Sequence, residues 1–273
     1  MTARTFLVRG LIAGFIAGIV AFGVAYLVGE PPINAAIAIE EAGSSDAVEP
    51  HSHDDAATDP AATDPAAEAG HSHGEEAEVS RDTQSTWGLA TATIIFGTAL
   101  GGVLALVSAI AVGRLGRLRP AATVGVMAAV GFTAFYLVPF LKYPPNPPAV
   151  GSGDTIGART AKYVTMLVIS VVAAIVAVLA ARIMARKWNG AIGVGAAIAG
   201  YGVVVLVAAK LLSPIDEVPA GFPAELLWQF RTASLTVQLA LWTTLALILA
   251  GSIHAVYTKA LAEQDRRELA RAL

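Results

Sequence analysis

Four of the five histidines in this 273-residue chain stand in two identical triplets, His51-Ser52-His53 and His71-Ser72-His73. Carboxylates follow each one, Asp54 and Asp55 after the first and Glu75 and Glu76 after the second. Neutral imidazole is a good ligand for divalent zinc, copper, iron and nickel, and carboxylates suit harder ions. In an extended chain alternate side chains point the same way, so the two imidazoles of a triplet share one face. A loop that folded back on itself would offer all four to a single ion. Protonation near pH 6.5 removes the imidazole lone pair, so capture by such a site weakens in acid. The plainer reading is that paired histidines decorate a low-complexity stretch and bind metal weakly and without selectivity. The donor set itself does not separate cobalt, nickel, copper and zinc, because the affinity order is similar at almost any nitrogen and oxygen site.

The triplets sit in a polar insertion from Glu30 to Thr86 made mainly of Ala, Asp, Glu, Pro, Ser and His. It contains a tandem duplication, Thr58-Asp59-Pro60-Ala61-Ala62 followed by Thr63-Asp64-Pro65-Ala66-Ala67. With few large apolar residues to bury, Ala42 to Arg81 is expected to be mostly disordered. The chain has no cysteine, which excludes disulfides, thiolate metal sites and cysteine nucleophiles, and four methionines are too few for a Met-rich copper(I) path.

The elements that must position this loop are apolar. Hydrophobic residues make up 55% of the chain and charged ones 14%, against roughly 25% charged in soluble domains. Mean hydropathy is +0.64. Six runs are long enough to cross a bilayer: Phe6–Val28, Trp87–Val112, Ala121–Leu141, Tyr163–Ala181, Ile192–Leu212 and Thr232–Tyr257. None carries a charge in its central portion. The expected fold is therefore an all-α integral membrane protein, a six-helix transmembrane bundle. Its parts are a first span (1–29), an acidic His-bearing outer loop (30–86), a five-span bundle (87–257) and a cytoplasmic tail (258–273). Span one could instead be read as a signal peptide ending near Ala36-Ile37-Ala38, but its apolar run is longer than a usual signal core.

Small residues recur at every fourth position: Gly10, Gly14 and Gly18 in span one; Gly97, Gly101, Ala105, Ala109 and Gly113 in span two; Ala191, Gly195 and Ala199 in span five. Such ladders let helix backbones approach closely in lipid, so they predict a packed bundle in preference to a lined conduction path.

Lys and Arg concentrate on the cytoplasmic side of membrane proteins. With the N-terminus inside, twelve of the 18 basic residues fall on the inner side and all four inner segments agree. Of the 21 carboxylates, only Glu263, Asp265 and Glu268 lie inside. Both termini are thus expected in the cytoplasm, with a negative outer face that would attract cations.

The outer connections after spans three and five match. One runs from Lys142 through Tyr143-Pro144-Pro145-Asn146-Pro147-Pro148-Ala149-Val150-Gly151 to Arg159-Thr160-Ala161; the other runs from Lys210 through Ser213-Pro214 and Pro219-Ala220-Gly221 to Arg231-Thr232-Ala233. From 148 to 219 is 71 residues, and from 159 to 231 is 72. This is a parallel repeat of two-helix hairpins, a plan known among transporters. Spans one and two could be a third copy, with Pro31-Pro32 as its trace. The repeat places Arg159 and Arg231 at matching points of the outer mouth, beside Asp154 and Glu225, with Asp216 and Glu217 adding negative charge. Interfacial anchoring together with local ion pairing explains such residues most simply; the functional reading is a polar vestibule.

No phosphate-binding loop, zinc-protease helix or serine-hydrolase elbow is present, so no enzymatic activity is expected. His254, near the inner end of span six, reads as a plain interfacial histidine. Four features together resemble the CbtA family of predicted cobalt transporters: the Arg9-Gly10-Leu11-Ile12-Ala13-Gly14 start, the His-x-His loop, the Tyr143-Pro144-Pro145-Asn146-Pro147-Pro148 turn leading to Arg159, and the Pro-rich acidic turn from Ile215 to Trp228. The resemblance implies a bacterial inner-membrane protein for cobalt uptake; the donor set itself leaves nickel or zinc open as the cation. The resemblance also implies a small one-span, histidine-bearing partner (CbtB-like), and it carries over His51, His53, His71 and His73 as metal ligands. Membrane lipid is the other expected partner, with room for a homo-oligomer and no role for nucleic acid. The alternative function is a membrane metal sensor or scaffold that recruits a partner without transporting.

Overall fold

In lipid no water is available for backbone groups, so an apolar run of this length can satisfy its N–H and C=O groups only by becoming a helix. The computed structural model describes residues 2–46, 79–116, 118–187 and 189–272. Those residues form six long helices, with no strand among them. They are α1 (Ala3–Gly43), α2 (Arg81–Ala111), α3 (Pro120–Lys142), α4 (Gly153–Lys187), α5 (Gly190–Leu211) and α6 (Ala224–Ala272), all long and apolar enough to span a membrane. Side-chain oxygens cap several starts: Thr2 at α1, Ser80 at α2 and Asn189 at α5, each accepting from a backbone N–H of the first turn.

The helices outrun the apolar segments. The insertion was expected to begin at Glu30, yet helix continues without a break over Glu30–Asp46. It resumes at Arg81, before the expected start of span two at Trp87. Pro31 and Pro32 do not stop α1 because a π-helical turn, Ala25–Gly29, stands directly before them. A wider turn relieves the clash and missing donor that proline brings to a helix. The same device recurs in α3, where the π turn Thr133–Leu137 precedes Pro139. In both helices the proline comes six residues after the π turn begins, from 25 to 31 and from 133 to 139. The C-terminal tail is no separate segment either: α6 is one helix of 49 residues, about 70 Å long at 1.5 Å per residue, so it projects well beyond a ~30 Å hydrocarbon layer.

Packing has two centres. Phe6, Ala13 and Ala17 of α1, Leu104 of α2, Val124 and Met127 of α3, and Leu241, Leu245, Leu249 and Ile253 of α6 form the first. Val138 of α3, Tyr143, Met166 of α4 and Ala208 of α5 form the second, beside which Ser170 and Tyr201 hydroxyls bond at 2.8 Å. Helix α1 lies between α2 and α6, α3 lies against α6, and α5 joins the bundle through α4.

The α1–α2 contact uses two of the expected ladders. A Cβ built on Gly10 would strike Gly101 and Ala105, one on Gly14 would strike the Gly97 carbonyl, and one on Gly18 would meet the backbone at Ile94. The α5 ladder behaves differently: Ala191, Gly195 and Ala199 are exposed, and α5 instead brings Gly193 against the backbone of Met184 and Ala185 on α4. Small-residue spacing alone does not say which of two adjacent faces is used.

This contrast is testable. Gly14→Ala is expected to destabilise the purified protein by about 1–3 kcal/mol, since the carbonyl it meets cannot move aside. Gly195→Ala, with open space around it, is expected to be neutral or to stabilise by a few tenths up to ~1 kcal/mol. Thermal denaturation in detergent distinguishes the two signs.

Candidate functional site

Helices α3 and α5 end, and α4 and α6 begin, at the same end of the bundle as the first loop; this is called the loop end. The two proline turns meet there, and the sequence-repeat positions explain how. Arg231, at the start of α6, donates from Nη2 to Asn146 Oδ1 at 2.9 Å and from Nε to the Pro145 carbonyl at 3.4 Å. Arg159, its counterpart on α4, brings Nε to 3.3 Å from Glu217 Oε2. Asn146 and Glu217 are themselves repeat counterparts, since from 146 to 217 is 71 residues. Each arginine therefore reaches from its own hairpin into the equivalent point of the other hairpin's turn.

Other bonds lock the same seam. The Thr155 hydroxyl donates to Glu217 Oε2 at 2.9 Å, the Tyr143 hydroxyl donates to the Ser213 carbonyl at 2.9 Å, and Lys162 Nζ donates to the Pro214 carbonyl at 3.5 Å. Burial pushes the Tyr143 phenol above its ordinary pKa, which keeps it protonated and donating. Lys142 Nζ lies 5.4 Å from the centre of the Tyr143 ring, close enough for a cation–π contact. Gly151 takes a positive φ of 106°, and a Cβ there would fall on the Arg159 guanidinium. Its counterpart in the second turn, Gly221, also has a positive φ, 97°.

Behind the seam lies a cavity of about 420 Å³ between α3, α4 and the first residues of α6. Its walls include Tyr136, Phe140, Asn146, Arg159, Thr160, Tyr163 and Arg231. A second tie stands at the root of the first loop: Arg81 pairs with the buried Glu30 carboxylate and donates to Asn34 Oδ1 from Nη2 at 3.0 Å and from Nε at 3.2 Å. It fastens α1 to the first turn of α2.

Of the residues singled out in the sequence, Arg159, Arg231 and Glu217 come together at the seam. Asp216 is exposed and does not line the cavity. The arginines do not pair with the expected neighbours Asp154 and Glu225: Arg159 turns to Glu217, while Glu225 accepts from Gln229 at 3.1 Å. A carboxylate five or six residues away along one helix lies on a different face, whereas the opposite turn lies directly in front of the guanidinium. His51, His53, His71 and His73 lie outside the described residues. Among the described residues no three His, Cys, Asp or Glu side chains cluster to hold a metal ion, and His254 is exposed on α6. Asn146, Thr155, Tyr136 and Tyr163 were not expected as site residues. The signal for Asn146 was present, since the repeat offset that pairs the arginines also pairs it with Glu217. The tyrosines carried no signal, being aromatic residues within apolar spans.

One family model matches the chain, that of the probable cobalt transporter subunit (CbtA), over residues 3–254. Neither a curated protein nor a solved structure matches.

Because Arg159 and Glu217 act as a pair across the seam, Arg159→Gln and Glu217→Gln are expected to be non-additive, with a coupling energy of about 0.5–3 kcal/mol in a double-mutant cycle. Thermal or denaturant unfolding of the two single variants and the double variant measures it; strict additivity would mean that the two charges do not interact.

Proposed function

Because the chain belongs to the CbtA family of probable cobalt transporter subunits, we propose that it is the multi-pass component of a cobalt uptake system in the cytoplasmic membrane. The family match over residues 3–254 carries this reading. In it the loop end faces outward. His51, His53, His71 and His73 gather the divalent ion there, and the interlocked turns form the vestibule through which it passes. The distribution of basic residues supports the orientation.

The chemistry asked of the loop is modest. Each imidazole contributes a nitrogen lone pair and each nearby carboxylate an oxygen, so a weak, reversible complex raises the ion's local concentration without trapping it. Membership of a family of subunits implies a partner within the membrane complex. A one-span partner with histidines of its own would provide a next set of donors. Energy coupling would come from such a partner or from an ion gradient, because the inner connections of this chain are too short to contain a nucleotide-binding domain.

Proteoliposomes containing the protein together with its partner are expected to take up cobalt, scanned against nickel and zinc. Replacing the four loop histidines by Asn should lower uptake at limiting cobalt but not at saturating cobalt. In the wild type, capture should fall as pH drops from about 7.5 to about 5.5, since imidazole protonates near pH 6.5; the Asn variant should lose that dependence. Equal uptake by both proteins at limiting cobalt would remove the capture role. Metal binding by the loop without any flux would make the chain a non-transporting sensor or scaffold.

A further inference from the structure

The cavity behind the seam is charged in the opposite sense from a cation's port. Two guanidinium groups line it, those of Arg159 and Arg231. Arg159 is balanced by Glu217. Arg231 is not: its bonds go to the Pro145 carbonyl and the Asn146 amide oxygen, both neutral, and among the described residues it has no carboxylate partner. Arg231 is also half-buried. A partly desolvated positive charge with only neutral acceptors is costly, and an anion brought to it would offset that cost.

A second, independent feature points the same way. Tyr136 is one of the residues lining this cavity, and its hydroxyl is buried with no hydrogen-bond partner among the described residues. Buried hydroxyls are rarely left unpaired. A phenol O–H can donate, as can the free N–H groups of a guanidinium, so both unmet groups call for an acceptor. Acceptor oxygens that also carry negative charge answer both requirements, and a guanidinium fits carboxylate or phosphate in particular because its N–H fork matches their paired oxygens. The remaining wall is aromatic and apolar, from Phe140 and Tyr163, as in most small-ligand pockets.

We propose that the cavity bounded by Arg231, Asn146 and Tyr136 is an oxyanion site that takes a carboxylate or phosphate group. This deepens the vestibule reading and rests on it for the cavity's place in the pathway. A divalent ion would then enter with its charge reversed by carboxylate ligands, as an anionic chelate. The phosphate of a lipid headgroup at the membrane surface offers the same chemistry, and soluble and lipid probes separate the two sources.

The whole chain is purified in a neutral, phosphate-free detergent without cobalt, and binding is followed by calorimetry and by thermal stabilisation. Citrate, inorganic phosphate and short-chain phosphatidylglycerol are the probes. Saturable binding is expected with at least one of them. It should weaken about tenfold or more in Arg231→Gln and detectably in Tyr136→Phe, which removes a single hydroxyl and keeps the ring. Binding of citrate or phosphate identifies a soluble anion; binding of phosphatidylglycerol alone identifies a headgroup; either supports the site. No saturable binding of any probe, or unchanged affinity in Tyr136→Phe together with either unchanged affinity or misfolding in Arg231→Gln, overturns it. Cobalt flux in proteoliposomes containing the wild-type protein with its partner is measured separately. Flux without anion binding removes this inference and leaves the uptake reading standing, whereas anion binding without flux does the reverse.

Discussion

Two guanidinium groups hold the loop end of this bundle together by exchanging hairpins: Arg159 reaches Glu217 and Arg231 reaches Asn146. The shape of that end depends on this exchange. Helix α5 packs on α4 and on little else, so the turn between α5 and α6 is held in place mainly by what it grips across the seam. The residues that grip it, Tyr143, Thr155, Arg159 and Lys162, all belong to the other hairpin. The cavity lies against the same exchange: its polar wall includes the two arginines and Asn146, which Arg231 engages. Between the spans themselves burying apolar surface gains little when lipid is equally apolar, so close packing and interhelical bonds hold the helices together.

The rest of the bundle answers a single demand, that backbones come close enough for van der Waals contact to substitute for the hydrophobic effect. The α1–α2 ladder does this over Gly10, Gly14, Gly18, Gly97 and Gly101. Where proline threatens the helix, a π turn absorbs it in both α1 and α3. As a result α1 carries its packed face past the apolar run to Pro32 and Ala36, both buried, and Glu30 ties it to Arg81 at the start of α2.

Much of this was legible in the residues. Apolar length specified the six spans, because the bilayer sets that length directly. The 71–72 residue offset pointed to paired hairpins, and the fold realises the offset down to the matching of Asn146 with Glu217. Helix ends were less legible. Hydropathy marks where lipid stops, not where hydrogen bonding stops, so α1, α2, α4 and α6 all run on into polar sequence. The partners of Arg159 and Arg231 could not be read from local spacing either: nearby carboxylates such as Asp154 and Glu225 compete on paper with Glu217, and only the approach of two turns decides between them. The sign of the cavity was missed for the same reason. Asp216 and Glu217 look like a negative mouth in the sequence, but Glu217 is neutralised by Arg159 and Asp216 lies outside the lining.

Uptake as proposed depends most on the loop end being the side on which the ion arrives. The chain has no cysteine, so single-cysteine variants report sidedness without background. Ala220→Cys lies in the exposed second turn and Gln264→Cys on the exposed far extension of α6. In intact cells a membrane-impermeant maleimide should label position 220 and leave 264 untouched until the membrane is permeabilised. Labelling of 264 with protection of 220 would turn the bundle over and contradict the proposed uptake.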